Sequence, residues 1–311
     1  MKLAFVFPGQ GSQTVGMLAA FEGNAAVAET MKRADAALGE SLTGMIAAGP
    51  AEELNLTVNT QPAMLASSVA FYNAWIAAGG MAPEVMAGHS LGEYSALTAA
   101  GVFELEDAVR LVRFRAQCMQ EAVPVGVGGM AAIIGLSDAI VAEVCQEAAS
   151  EGIVEAVNFN SPGQVVIAGQ KTAVEKACMI AKDKGAKRAL MLAVSAPFHS
   201  SMMKPASLAL KTKLQQMSMK APSVDVIANV DVTVHHQPEA IIEALAAQAA
   251  GAVQWVKTIE AMKAMGVTHI VECGPGRVLA GLIKRIDASI VVKNINSQET
   301  LQSVLEELKS A

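Results

Sequence analysis

Glu84-Val85-Met86-Ala87-Gly88-His89-Ser90-Leu91-Gly92 is the stretch on which the fold turns. Residues 84–88 form a short apolar run ending in glycine, the pattern of a buried strand. Residues 93–100 suit a helix. Between them lies Gly-x-Ser-x-Gly, the strand–turn–helix elbow that lifts a serine to the top of an α/β sheet. The turn is sharp, so the positions two before and two after the serine must be small. Ser90 is therefore the candidate nucleophile.

Outward from the elbow, strand candidates fall at 3–7, 224–228, 268–272 and 289–293. Helical stretches fall at 61–78, 104–122, 208–219, 238–248, 254–265, 278–285 and 298–308. Strands alternating with helices predict an α/β domain around a parallel sheet. The middle of the chain departs from that rhythm. It reads as strand 131–134, helix 138–149, strands 153–158 and 164–169 joined by Asn160-Ser161-Pro162-Gly163, helix 173–184 and strand 187–194. The order β-α-β-β-α-β is the ferredoxin-like pattern. A small domain over 125–197 is thus expected, inserted into a larger one formed by 1–124 and 198–311. The cleft between the two is the expected ligand site.

Composition narrows the function. The 311 residues are 52% hydrophobic, 4% aromatic and 17% charged, with a net charge of −6. Mean hydropathy is +0.38. So apolar a chain is not disordered. Few rings and a net negative charge argue against nucleic acid as a partner. The longest uncharged stretch, 54–83, is broken by Asn55, Asn59, Gln61, Asn73, two prolines and Gly79-Gly80. It reads as a buried helix rather than a membrane span. The apolar run 3–7 ends at Pro8-Gly9, too short for an export signal, so the cytoplasm is expected. Cys118, Cys145, Cys178 and Cys273 show neither CxxC pairing nor zinc spacing, which predicts reduced thiols and no metal.

Ser90 needs a base. His89 adjoins it, but neighbouring side chains diverge. His269 lies inside a strand candidate and reads as core, and His235-His236 read as a polar surface loop. His199 follows a strand and the turn Ser195-Ala196-Pro197-Phe198, and catalytic groups in α/β sheets gather beyond the carboxyl ends of strands. No Asp or Glu presents itself as a third triad member. The loop Pro8-Gly9-Gln10-Gly11-Ser12-Gln13 is neither a P-loop nor a dinucleotide fingerprint. It could offer a backbone N–H to an oxyanion, alongside that of Leu91. On the helix 104–122, Arg115 is the only charge on the stripe Ala108, Leu111, Cys118 and Ala122. A buried guanidinium without a partner is unfavourable, so it should meet a carboxylate of the protein or of a ligand. Lys182, Lys184, Lys187 and Arg188 form a loose basic cluster that reads as a solvated face.

Phe7 to Gln13, Gly88 to Glu93, Arg115 with Met119-Gln120, Asn160 to Gln164, Pro197 to Ser200 and Gly274-Pro275-Gly276 occur in one order. In that order the chain resembles the malonyl-CoA:acyl-carrier-protein transacylases of type II fatty acid synthesis, over essentially its whole length. The resemblance implies an α/β-hydrolase-like core with a ferredoxin-like insertion. It implies that Ser90 is acylated, that His199 is the base, and that Gln10 and Leu91 supply the oxyanion-hole N–H groups. Arg115 would hold the malonyl carboxylate, and Phe198 would leave little room beside it. Gln248 would orient the histidine through its backbone carbonyl. Malonyl-CoA and acyl carrier protein would be the partners, with no resident cofactor. The carrier is acidic, so docking needs a local basic patch, for which 182–188 near the cleft is a candidate. The other readings are an esterase or thioesterase using the same elbow, an acyltransferase serving a polyketide carrier, and a non-catalytic carrier-binding protein.

Overall fold

The structure, a computed structural model, describes residues 1–309. Its strands are β1 (Leu3–Phe7), β2 (Val85–Gly88), β3 (Gly128–Ile134), β4 (Val154–Ser161), β5 (Gln164–Gln170), β6 (Arg188–Met191), β7 (Asp225–Ile227), β8 (His269–Cys273) and β9 (Val291–Ile295). They divide into two sheets of opposite character. The order β7-β2-β1-β8-β9 is parallel throughout. The order β4-β5-β3-β6 is antiparallel throughout.

Every residue of β1 and β2 is buried, as parallel strands covered on both faces must be. Successive side chains point to opposite faces. Leu3, Phe5 and Phe7 join the core built with the helices Thr57–Ala77 and Leu105–Glu121. There Phe5 meets Tyr72 and Trp75 at ring separations of 5.7 and 5.6 Å. Ala4 and Val6 face the opposite way, onto Trp255, Ile259 and Ile283 of the helices Trp255–Ala264 and Val278–Ile286. The register pairs Phe7 with Gly88, so the loop leaving β1 and the elbow leaving β2 emerge side by side.

The antiparallel sheet also has two occupied faces. Ala131, Ile133, Val165 and Ile167 pack under the helices Asp138–Ala148 and Lys171–Asp183. Met130, Val166 and Ala168 turn the other way and meet Met119, Phe198 and Met203 of the parallel-sheet unit. Backbone also bridges the seam: Phe159 N donates to Val253 O at 3.0 Å, and Val253 N to Val157 O at 2.8 Å. Among the described residues no helix is long and apolar enough to cross a membrane.

The α/β architecture with a parallel sheet agrees with the sequence, but several bounds move. Helices Ala25–Leu38, Leu42–Ala48 and Ala51–Leu54 have no counterpart in the sequence reading. Ala25–Leu38 buries only Val27, Thr30, Met31 and Ala34, a stripe too thin to stand out, although Asn24 and Gly39 cap it normally. The helix expected at 61–78 begins at Thr57, with Pro62 inside it. That expected at 208–219 spans Lys204–Leu214, with Pro205 in the first turn, where its missing N–H does no harm. The strand expected at 187–194 stops at Met191, and the chain beyond it leaves the sheet for the cleft.

Candidate active site

Ser90 sits where β2 hands over to the helix Leu91–Ala99, at φ 51°. This conformation is sparsely populated for a non-glycine residue and is held by its surroundings. Ser90 N donates to Asn229 Oδ1 at 2.7 Å, and Asn229 Nδ2 donates to Gly88 O at 2.7 Å. Close packing demands the flanking glycine, because a Cβ on Gly92 would lie 2.0 Å from Phe7 O. Ser90 Oγ is 2.7 Å from His199 Nε2. His199 Nδ1 is 2.8 Å from the main-chain oxygen of Gln248. A carbonyl only accepts, so Nδ1 carries the proton and Nε2 is free to accept from Ser90. His199 is buried, also at positive φ, 65°. Burial first, and then the charge of Arg115, push its imidazole down to about 3, so it is neutral at working pH.

Arg115 is 1% exposed. Its Nη1 donates to Gln61 Oε1 at 2.8 Å, and its Nη2 to Gln248 Oε1 at 2.9 Å and to Ser90 Oγ at 3.3 Å. The guanidinium lies 5.1 Å from the ring centre of Tyr94. Amides, a hydroxyl and a ring thus surround it, and it forms no ion pair among the described residues. The sequence expects a carboxylate of the protein or of a ligand for this charge, and the protein itself supplies neutral oxygens. Glu93, 2% exposed, lies behind the elbow, where its Oε2 accepts from Gln248 Nε2 at 2.8 Å and from Asn229 N at 3.0 Å. Burial pushes the Glu93 carboxyl up to about 7, against the pull of these two donors and of Arg115.

Gln10 follows β1, and a Cβ on the preceding Gly9 would lie 2.5 Å from His89 O and 3.8 Å from Leu91 N. The two loops therefore touch beside Ser90. Thr57 Oγ1 donates to Gln10 Oε1 at 2.8 Å and fixes that side chain. Neither the Gln10 nor the Leu91 amide has an acceptor among the described residues. Both line a cavity of about 140 Å3 together with Ser90, Arg115 and His199. Phe198, Met119, Met130, Val166 and Val194 form its apolar wall. An apolar wall with a few convergent polar groups suits a small-molecule site. The cavity draws residues from the units of both sheets.

Other candidates lie elsewhere. His89 turns away from the serine, with Nε2 2.7 Å from Asn160 Oδ1 on the β4–β5 hairpin. His269 is half-buried at the start of β8, its Nδ1 2.9 Å from Thr268 Oγ1, so the expectation of a core residue is corrected. His235 meets Asp231 at 2.8 Å. The basic cluster is also relocated. Arg188 pairs with Ile134 at one end of β3, whereas Gly128 at the other end abuts Pro197 beside the cleft. The cluster is therefore about 20 Å along the strand from the site, and Lys184 is engaged by Glu147 at 2.8 Å and Glu143 at 3.6 Å. Sequence reasoning missed Gln61, Glu93, Tyr94 and Asn229. Asn229 had one signal, its place just beyond the carboxyl end of a parallel strand. Among the described residues no cluster of His, Cys, Asp and Glu could hold a metal ion.

Comparison with known proteins finds relatives over nearly the whole chain. Residues 4–304 match the family model of the acyl transferase domain. A malonyl CoA-acyl carrier protein transacylase from Escherichia coli (strain K12) is 54% identical, covering 98% of this chain and 99% of the relative. Its namesake from Bacillus subtilis (strain 168) is 43% identical, over 99% of this chain and 98% of its own. The crystal structure of an acyl-carrier-protein S-malonyltransferase from Burkholderia pseudomallei 1710b superposes with a TM-score of 0.97 at 59% identity, covering 98% of this chain and 100% of that one. A malonyl-transacylase solved in complex with its type II PKS acyl-carrier protein superposes at 0.97 with 48% identity, over 99% and 100% of the two chains.

Proposed function

The chain belongs to the acyl transferase domain family, and on that premise we propose that it moves a malonyl group from CoA to acyl carrier protein through a serine ester. It is a malonyl-CoA:acyl-carrier-protein S-malonyltransferase of fatty acid biosynthesis, and the carrier protein is its macromolecular partner. The observation that carries the mechanism is Arg115: buried, without an ion pair among the described residues, and 3.3 Å from Ser90 Oγ.

The thioester carbonyl lies over Ser90, with its oxygen toward the amides of Gln10 and Leu91. Ser90 Oγ attacks, the proton passes to His199 Nε2, and the tetrahedral oxyanion is held by the two amides. The carbon–sulfur bond breaks, His199 returns the proton to the CoA sulfur, and a malonyl ester remains on Ser90. The carrier's phosphopantetheine thiol then attacks that ester by the same steps in reverse. The substrate carboxylate sits on Arg115, and Phe198 closes the pocket beside it. Gln248 fixes the His199 tautomer through a main-chain oxygen, so no buried third acid is needed. Pairing Arg115 with the substrate carboxylate also offsets the charge that lowers the His199 pKa and makes His199 a stronger base as malonyl binds. The chemistry uses side chains and amides alone; CoA enters and leaves as part of the substrate.

Residues 1–124 and 198–311 serve as an α/β-hydrolase-like catalytic domain, a reading supported by the serine elbow following β2 of a parallel sheet. Residues 125–197 serve as a ferredoxin-like insertion, supported by the spatial order β4-β5-β3-β6 with two helices on one face. The cytoplasm is the workplace under this reading, and the free Cys118, Cys145, Cys178 and Cys273 suit a reducing compartment. A polyketide carrier is the second reading, favoured by the relative solved with such a partner. Intact-mass spectrometry tests the whole scheme. Malonyl-CoA should add one malonyl mass to the protein and none to Ser90→Ala, and holo carrier protein should remove it. Transfer to water instead of thiol would turn the protein into a hydrolase.

A further inference from the structure

We propose that Glu93 is a positioning residue for malonyl transfer, orienting Gln248 and Asn229 and, through them, the carboxylate clamp and the serine–histidine pair. The inference rests on the transfer reading above. Glu93 itself does not line the cavity.

The argument is one of donors and acceptors. A carboxamide has one accepting end and one donating end. Gln248 Nε2 donates to Glu93 Oε2 at 2.8 Å and to Ser90 O at 3.0 Å. With the donating end thus fixed, Oε1 must face Arg115 Nη2, at 2.9 Å. The reversed amide would set N–H groups against a guanidinium that has only N–H groups to offer. The same residue's main-chain oxygen accepts from His199 Nδ1 at 2.8 Å. Gln248 therefore carries both the clamp and the base, and Glu93 decides which way its side chain points.

A second line runs through Asn229. Its N donates to the same Glu93 oxygen at 3.0 Å, while its side chain holds Ser90 N and Gly88 O, each at 2.7 Å. One carboxylate oxygen thus joins the elbow, the base and the clamp, which come from segments far apart in the chain. The charges that act on Glu93 are Arg115 and Asp231, of opposite sign. A carboxylate this deeply buried is unfavourable by itself, and it has no ion pair among the described residues. Its place in the first turn of the helix Leu91–Ala99 offsets only part of that. A group retained at such a disadvantage fits a role in holding the surrounding site.

The test compares Glu93→Ala and Glu93→Gln with wild type, reading acylation of the protein by malonyl-CoA and by acetyl-CoA. Acetyl-CoA has no carboxylate and does not use the clamp. Glu93→Ala should lower kcat/KM for malonyl-CoA roughly 10- to 100-fold, the scale of one charge-assisted hydrogen bond. It should lower the malonyl-to-acetyl ratio by about tenfold, because the base is disturbed for both substrates but the clamp for one. Glu93→Gln keeps an oxygen able to accept both bonds, and should hold rate and ratio within about threefold of wild type. An unchanged rate in Glu93→Ala, an equal fall for both substrates, or a collapsed ratio in Glu93→Gln overturns the proposal. Should Glu93→Ala fail to fold, the Glu93→Gln ratio decides alone. Wild-type protein that takes no malonyl group would refute the transfer reading instead.

Discussion

Replacing Arg115 by alanine tests the substrate assignment at its centre. Each charge-assisted hydrogen bond to a buried ionised partner contributes about 1.5–3 kcal/mol. The guanidinium can give a malonyl carboxylate two, so the loss is about 3–6 kcal/mol, or roughly 10²- to 10⁴-fold in kcat/KM for malonyl-CoA. Acetyl-CoA should behave differently, because in wild type it would leave Arg115 buried without a countercharge. Arg115 also donates to Ser90 Oγ at 3.3 Å and is the second cause of the depressed His199 basicity. Its removal frees a lone pair on the nucleophile and raises the His199 pKa. Acetyl transfer should therefore hold or rise, and the acid limb of its pH profile should move to higher pH. The assay is rapid-quench acylation with each thioester across pH, read by intact mass, alongside a melting curve. Malonyl and acetyl rates falling together, in a protein that melts as wild type does, would refute the role given to Arg115.

His199→Ala should slow acylation by at least about 10³-fold in single-turnover mixing, since Ser90 then has no base; a loss of a few-fold would point to another base. Gly92→Ala sets a methyl 2.0 Å from Phe7 O and should destabilise by about 3 kcal/mol or more in urea unfolding; wild-type stability would show that β1 and the elbow can separate freely. The Glu93 carboxyl titrates at about 7 in the fold against 4.5 in the unfolded chain. The native state therefore binds its proton more tightly, and the stability this gives at low pH is lost as pH rises from 4.5 to 7. His199 works in the opposite sense, its contribution being present above 6.5 and lost as pH falls toward 3. Glu93→Gln removes only the first dependence, so its stability relative to wild type should improve by about 2–3 kcal/mol between pH 5 and pH 8. Parallel denaturation curves would contradict the burial of a titrating carboxylate.

What could be read in advance follows the range of the forces involved. Ser90 announces itself because steric demands on a tight turn are local and fix the two glycines. Arg115 announces itself because helical periodicity places it on an apolar stripe, and the structure buries it there. The alternation of strands and helices gives the parallel sheet for the same reason. Gln248 has no such signal: its main-chain oxygen accepts from His199 Nδ1, and every residue has such an oxygen. Gln61, Asn229 and Glu93 act through contacts between segments that only the fold brings together. The basic cluster at 182–188 was misplaced because sequence order does not reveal which end of β6 faces the cleft. The helices before residue 57 escaped notice because they bury narrow apolar stripes.

The position of β1 bears on how the chain is made. It precedes the other described strands in the sequence and lies at the centre of its sheet. β2 covers one of its edges early, but the other waits for β8, where Leu3 aligns with His269. Ser90, Arg115, His199 and Gln248 are all synthesised before that strand. A chain that stops short of β8 therefore carries all four of these side chains and an apolar strand with a bare edge, open to pairing with its neighbours. β8 contributes little chemistry; what it gives the protein is protection of β1 during translation.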